Sequence, residues 1–177
     1  MTLTLRRLEL ADSEDVYRML QEIPPEEHGF QNNANGLDAD GFRAWLARCD
    51  EIRRGVGLED WMVRQTVYWL YADGEPVGIG KLRHRLNDAL REVGGHIGYA
   101  IRPSMRGRGY GKRLLAELLR AAGALGIERA LVTISVRNEP SIRVAAGCGG
   151  ELVRTSETRR YYEFETGVRC DRGKRDE

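Results

Sequence analysis

Two hydrophobic periods take turns along this chain. Alternation of apolar and polar residues marks a half-buried strand, and apolar recurrence at three and four residues marks one face of a helix. Leu3, Leu5 and Leu8 alternate and predict an opening strand. Asp12 or Ser13 then caps a helix whose buried side carries Val16, Tyr17, Met19 and Leu20, until Pro24-Pro25 stops it. Residues 24–37 hold Pro, Gly and Asn without a period and predict a turn-rich loop. Helical spacing returns over 38–53 through Phe42, Trp45, Leu46 and Cys49. Residues 61–71 read as a strand, with a hairpin turn at Asp73-Gly74 into a second strand over 76–83.

The second half repeats the alternation. Residues 84–95 are a connection to a strand over 96–101. A helix over 109–123 buries Leu115, Leu118, Leu119 and Ala122, and a strand follows over 129–136. A short helix over 140–146 has Pro140 in its first turn, where a missing N–H does no harm. Residues 151–153 and 160–164 close the sheet. No repeat or linker interrupts the pattern, so residues 1–166 are expected to form one α/β domain and 167–177 a charged, frayed tail.

Bulk properties narrow the picture. With 177 residues, 41% hydrophobic and 31% charged, the chain suits a globular domain with a core of its own. A formal net charge of +1 gives no electrostatic case for nucleic acid or an anionic membrane. No apolar run approaches the ~20 residues of a membrane span. Cys49, Cys148 and Cys170 are odd in number and unpaired in spacing, which argues against a disulfide framework or a metal site and for a reducing, cytoplasmic setting.

The candidate chemistry lies at residues 106–111, Arg-Gly-Arg-Gly-Tyr-Gly, at the mouth of the helix over 109–123. A helix start leaves N–H groups unpartnered and carries partial positive charge, and glycines let a ligand approach that backbone. The combination is an anion site, suited to a phosphate or pyrophosphate. It is not a P-loop: Arg106 stands where the first glycine belongs, and Arg113 follows Lys112 where a hydroxyl is required. It is a weak dinucleotide fingerprint, because Lys112 replaces the third glycine.

Residues 98–103, Gly-Tyr-Ala-Ile-Arg-Pro, followed by that loop, resemble the acyl-CoA-binding motif of the GNAT superfamily of N-acetyltransferases. The strand over 132–136, followed by Asn138, Glu139, Pro140 and Ser141, resembles that family's next strand and helix start. The stretches 83–87 and 94–99 further resemble a bacterial branch of predicted acetyltransferases. The likeness covers roughly residues 65–165 and implies a single-domain GNAT-like fold, with a mixed, mostly antiparallel central sheet flanked by helices. It implies acetyl transfer from acetyl-CoA, a co-substrate, to a small-molecule or peptide amine acceptor without a metal. A homodimer stays open. The rival is a non-catalytic acyl-CoA-binding regulatory domain.

The resemblance also assigns residues. Gly107, Gly109, Tyr110 and Gly111 would cradle pyrophosphate, with Arg106, Arg108 and Lys112 adding charge from the rim. Tyr99, Ala100 and Ile101 would flank the pantetheine arm, Asn138 would hydrogen-bond it, and Ser141 would cap the helix or contact the ligand. Many relatives carry a Tyr seven residues past the Asn as acid for the leaving thiolate. Ala145 stands there, so Tyr161 or Tyr162 becomes the acid candidate. Some relatives place a basic Glu near position 95, which here is Gly95, leaving His96 or Glu92 as base candidates. His84 and His28 have weaker claims. Glu26, Glu27, Asp38 and Glu92 are the carboxylates that would draw a cationic amine.

Overall fold

The computed structural model describes residues 2–12 and 14–166, so Ser13 as a cap and the tail over 167–177 lie outside the described residues. Strand β1 (Leu3–Arg7) leads to α1 (Glu14–Glu22) and α2 (Ala39–Arg54), then to the hairpin β4 (Gln65–Ala72) and β5 (Glu75–Arg83). Asp73 and Gly74 both take positive φ, 49° and 87°, as the twist-matched two-residue hairpin turn demands. Asp38 caps α2, its Oδ1 accepting from Gly41 N at 2.8 Å.

The loop over 24–37 is more ordered than its composition suggests. It contains a small hairpin, β2 (Glu26–Glu27) and β3 (Phe30–Gln31), turned at His28 and Gly29 with φ of 51° and 90°. Buried Asn32 explains the order. Its Nδ2 donates to Leu20 O at 2.8 Å and Ile23 O at 2.7 Å, satisfying carbonyls at the end of α1 and tying the loop to that helix.

The connection after β5 likewise holds a short helix, α3 (Asp88–Glu92), capped by Asn87, whose side chain accepts from Leu90 N. Then come β6 (Ile97–Ile101), α4 (Tyr110–Ala124), β7 (Arg129–Ser135), α5 (Glu139–Gly147), β8 (Glu151–Thr155) and β9 (Arg159–Glu165). Within α4, Leu114 is buried along with Leu115, Leu118 and Ala122, while Leu119 is only partly covered. The strand expected from residue 61 begins at Gln65, and Trp61 is 72% exposed.

The strands form two main sheets, ordered β1-β4-β5-β6 and β7-β9-β8, with every paired neighbour antiparallel. One core packs α4 and α5 against both sheets and includes Leu82, Ile97, Leu118, Val132 and Phe164. A second packs α1 and α2 on the other face of the first sheet, around Met19, Leu46, Trp69 and Ile79. Trp69 Nε1 donates to Asp12 Oδ2 at 2.7 Å, so the buried indole has its partner. Among the described residues, no helix is long and apolar enough to cross a membrane.

The two sheets meet edge to edge at one seam. His96 N donates to Leu131 O at 2.7 Å, and Leu131 N donates to His96 Nδ1 at 2.9 Å. Gly94 N adds a bond to Thr133 Oγ1 at 2.9 Å. Gly95 permits this approach: a Cβ there would lie 2.4 Å from Leu131 O and force the edges apart. Beyond the seam β6 and β7 are not hydrogen-bonded to one another, and a wedge opens between them.

Candidate active site

The wedge is a cleft of about 690 Å³. β6 is an edge strand, so its unpaired backbone faces the opening. Such an edge accepts an extended chain bearing amide groups as it would accept another strand. At the end of the cleft past Ile101 lies the glycine loop. Gly109 is the N-cap of α4, with φ 81°, and no side chain caps the helix. A Cβ at Gly107 or Gly109 would meet nothing within 4 Å, so the loop backbone stands open. An uncapped helix start behind open backbone suits an anion.

Every residue assigned from sequence to the acyl donor lines this cleft except Arg108, which is exposed outside it. Several differ in detail from the expected roles. Arg106 does not stand free at the rim: its Nη1 and Nη2 donate to Glu27 Oε1 and Oε2 at 3.0 and 2.5 Å, and its Nε to Ile101 O at 3.0 Å. This bidentate pair fastens the β2–β3 hairpin to the glycine loop. Tyr110 is buried in the core at the root of α4. Asn138 caps α5, its Oδ1 accepting from Ser141 N at 3.2 Å.

Tyr99 differs from its neighbours. Its Oη is buried and makes no hydrogen bond of good geometry among the described residues, although the Ser141 side chain stands close enough to act on it as a loose one. Burial pushes the phenol up to about 12, and nearby Ser141 offsets only part of that. The hydroxyl therefore stays protonated.

The residues expected to handle protons lie elsewhere. His96, Glu92 and Tyr161 are not on the cleft wall. His96 is part of the seam, and its Nδ1 lone pair is engaged by Leu131 N–H. Burial, with Arg91 and Arg83 nearby, pushes its imidazole down to about 4. Glu92 pairs with Arg154 at 2.8 Å, which holds its carboxyl below the usual range. Tyr161 is buried, donates to Glu92 O at 3.1 Å, and lies under the Arg154 guanidinium at 3.7 Å. Tyr162 is buried in the core between the sheets and α4. Glu92 and Tyr161 thus share one outer cluster with Arg154.

Cleft residues that the sequence did not single out include Lys81 and Arg83 on β5, Arg143 on α5 and Arg159 on β9. His28, at the hairpin turn, lines the cleft, whereas His84 bonds Thr66 Oγ1 at 2.8 Å away from it. Burial, reinforced by Arg83, pushes Lys81 down to about 8. Burial also pushes the Cys49 thiol up to about 12, so it is no thiolate at neutral pH.

Comparison with known proteins agrees with this architecture. A family model described as an acetyltransferase (GNAT) domain matches residues 2–151. The ribosomal-protein-S5-alanine acetyltransferase of Vibrio fischeri superposes with a TM-score of 0.67 at 14% identity, covering 95% of each chain. The GNAT domain of S. lividans PAT gives 0.65 at 17% identity, over 93% of this chain and 91% of its own. The N-acetyltransferase PseH of Campylobacter jejuni, solved with acetyl coenzyme A, gives 0.62 at 9% identity, over 93% and 99%. No curated protein sequence matches the chain. With the family match running from β1 to the start of β8, and the fold shared throughout, the chain belongs to the GNAT family of acetyltransferases.

Proposed function

We propose that the protein transfers an acetyl group from acetyl-CoA to a primary amine by direct attack in a ternary complex. The observation that carries this reading is the cleft itself, with an unpaired strand edge as its wall and an uncapped helix start at its end. The residues present fit the donor. The open backbone at Gly107 and Gly109 suits pyrophosphate, the β6 edge suits the pantetheine amides, and the buried Tyr99 hydroxyl keeps donor capacity that its loose Ser141 contact does not use. Lys112, on the wall beside the loop, adds positive charge.

Acetyl-CoA supplies the activated acyl carbon when bound. The chain holds the donor straight and brings the amine nitrogen to it, so that a C–N bond forms as the C–S bond breaks. Tyr99 Oη holds the proton available to the departing sulfur. The amine proton leaves to solvent, because no histidine or carboxylate of the sequence candidates faces the cleft free of a partner except exposed His28. Positioning is worth roughly 7–11 kcal/mol for well-oriented reactants, so a dedicated base is not required.

A screen of primary amines, read by release of free CoA, tests the reading. Ala145, where many relatives carry a tyrosine, is the observation that favours the non-catalytic alternative. Stabilisation by acetyl-CoA with no CoA release on any amine would establish that alternative.

A further inference from the structure

The side of the cleft beneath the β2–β3 hairpin is lined by cations that form no ion pair among the described residues. We propose that the acceptor amine belongs to a small molecule that also carries a carboxylate or phosphate, seated against Lys81, Arg83 and Arg159. The inference rests on the acetyl-transfer reading and adds the class of acceptor to it.

Lys81 and Arg83 stand two residues apart on β5 and project to the face that the β2–β3 hairpin covers. Lys81 Nζ donates to Gln31 O at 2.5 Å and sits 4.9 Å from the centre of the Phe30 ring. Arg83 Nη1 donates to Gly94 O and Gly95 O at 3.3 and 3.0 Å. These partners are neutral. Arg159 reaches from the second sheet to the hairpin turn, its Nη2 3.0 Å from where a Cβ on Gly29 would be. Among the described residues, its guanidinium makes no hydrogen bond, and none of the three cations forms an ion pair.

The carboxylates that a cationic acceptor would need are engaged elsewhere. Glu27, on the cleft wall, is held by Arg106. Glu26 accepts from Gly29 N, Asp38 caps α2, and Glu92 pairs with Arg154. A polyamine would therefore meet three like charges. An anion would instead relieve Lys81 and Arg83, whose charges burial makes unfavourable, and guanidinium groups suit carboxylate and phosphate oxygens.

Position separates Lys81 and Arg83 from the donor's phosphates. Lys81 pairs across from Gly98, and Arg83 N bonds His96 O. Gly98 is three residues before Ile101, about 10 Å along the strand, with the glycine loop beyond.

The test compares matched amines: β-alanine against n-propylamine for the carboxylate, O-phosphoethanolamine against ethanolamine for the phosphate, and spermidine as the cationic opposite. CoA release gives kcat/KM, and calorimetry on the acetyl-CoA-loaded protein gives binding. One or both anionic amines should lead their neutral counterparts, and the leading pair names the anion. Arg159→Gln and Lys81→Met should each lower that preference about tenfold, the loss of a hydrogen bond to a charged group. Arg159 lies at a strand start on the cleft rim, so its variant keeps the test available if Lys81→Met does not fold. A wild type that favours spermidine or the neutral amines, or a preference unmoved in folded Arg159→Gln, overturns the inference. So does absence of binding by both anionic amines to protein that acetyl-CoA stabilises, and that result leaves acetyl-CoA binding standing. Failure of acetyl-CoA to stabilise the protein overturns both readings.

Discussion

The two ends of the cleft are built from different materials. The glycine-loop end is made of backbone: the edge of β6, the open turn at Gly107 and Gly109, and the bare start of α4. Its main parts are contiguous between residues 97 and 112. The other part is made of side chains from the turn of the β2–β3 hairpin, β5 and β9, which chain order scatters from residue 28 to residue 159. On the function proposed above, backbone would recognise what every acyl-CoA shares, and side chains would recognise what one acceptor has. A fold can therefore keep the first end and vary the second.

The sharpest break of that contrast comes at Gly109. Gly109→Asp should abolish the rise in melting temperature on adding acetyl-CoA, because a carboxylate would occupy the anion seat and oppose the helix dipole. Gly109→Ala is the control: its positive φ costs about 1–2 kcal/mol of stability, yet the ligand-induced rise should survive. An undiminished rise in the Asp variant would put the donor somewhere else.

Next in size is Tyr99→Phe. If its hydroxyl protonates the departing sulfur, kcat should fall by about 10²-fold, the lower end for acid–base groups. Melting temperature should change little, because the hydroxyl removed has only a loose contact with Ser141 to lose. Unchanged kcat would reduce Tyr99 to a wall of the pantetheine channel.

Arg106→Gln probes the link between the two ends. The Arg106–Glu27 pair is partly solvent-exposed, so its worth is about 0.2–1 kcal/mol. Steady-state kinetics should show KM rising no more than about fivefold, for acetyl-CoA and amine together. A change confined to one substrate would show that the two ends work independently.

The smallest effect on turnover belongs to His96→Asn, which belongs to neither end. An amide oxygen can accept from Leu131 N–H in place of Nδ1, so kcat should stay close to that of the parent. The effect appears in stability. The folded imidazole is held near 4 against an ordinary 6.5, so the unfolded chain binds more protons between those values. Stability from this group is complete above about pH 6.5 and falls away as pH drops toward 4. Chemical denaturation across that window should show a shallower slope for the variant. A collapse of kcat at constant stability would return His96 to the role of base.

The same contrast explains what could be read from the sequence. The glycine loop and the Asp73-Gly74 turn announce themselves because they take positive φ, which few residue types permit, and the strand before the loop is legible from its place beside it. The hairpin turned at His28-Gly29 did not, since two-residue strands carry no period and the buried Asn32 that orders them looks like any loop asparagine. Alternation along β5 does put Ile79, Lys81 and Arg83 on one face. It cannot show that residues 28–31 fold over that face and turn two ordinary cations into a lining. His96 and Glu92 drew notice through proximity to the motif, but the positive φ of Gly94 and Gly95 turns the chain so that His96 joins the seam and Glu92 faces out.

The seam at His96 and Leu131 is also a depth gauge. It is the point where the two sheets stop being one, so the distance from it to the glycine loop sets the length of molecule the wedge can hold. Each strand residue measures about 3.3 Å. Moving the seam by a single pair would lengthen or shorten that reach by about two carbon–carbon bonds, with every wall residue left in place. The length of the guest is thus recorded in one backbone crossing, and Gly95 keeps that record by having no side chain to blur it.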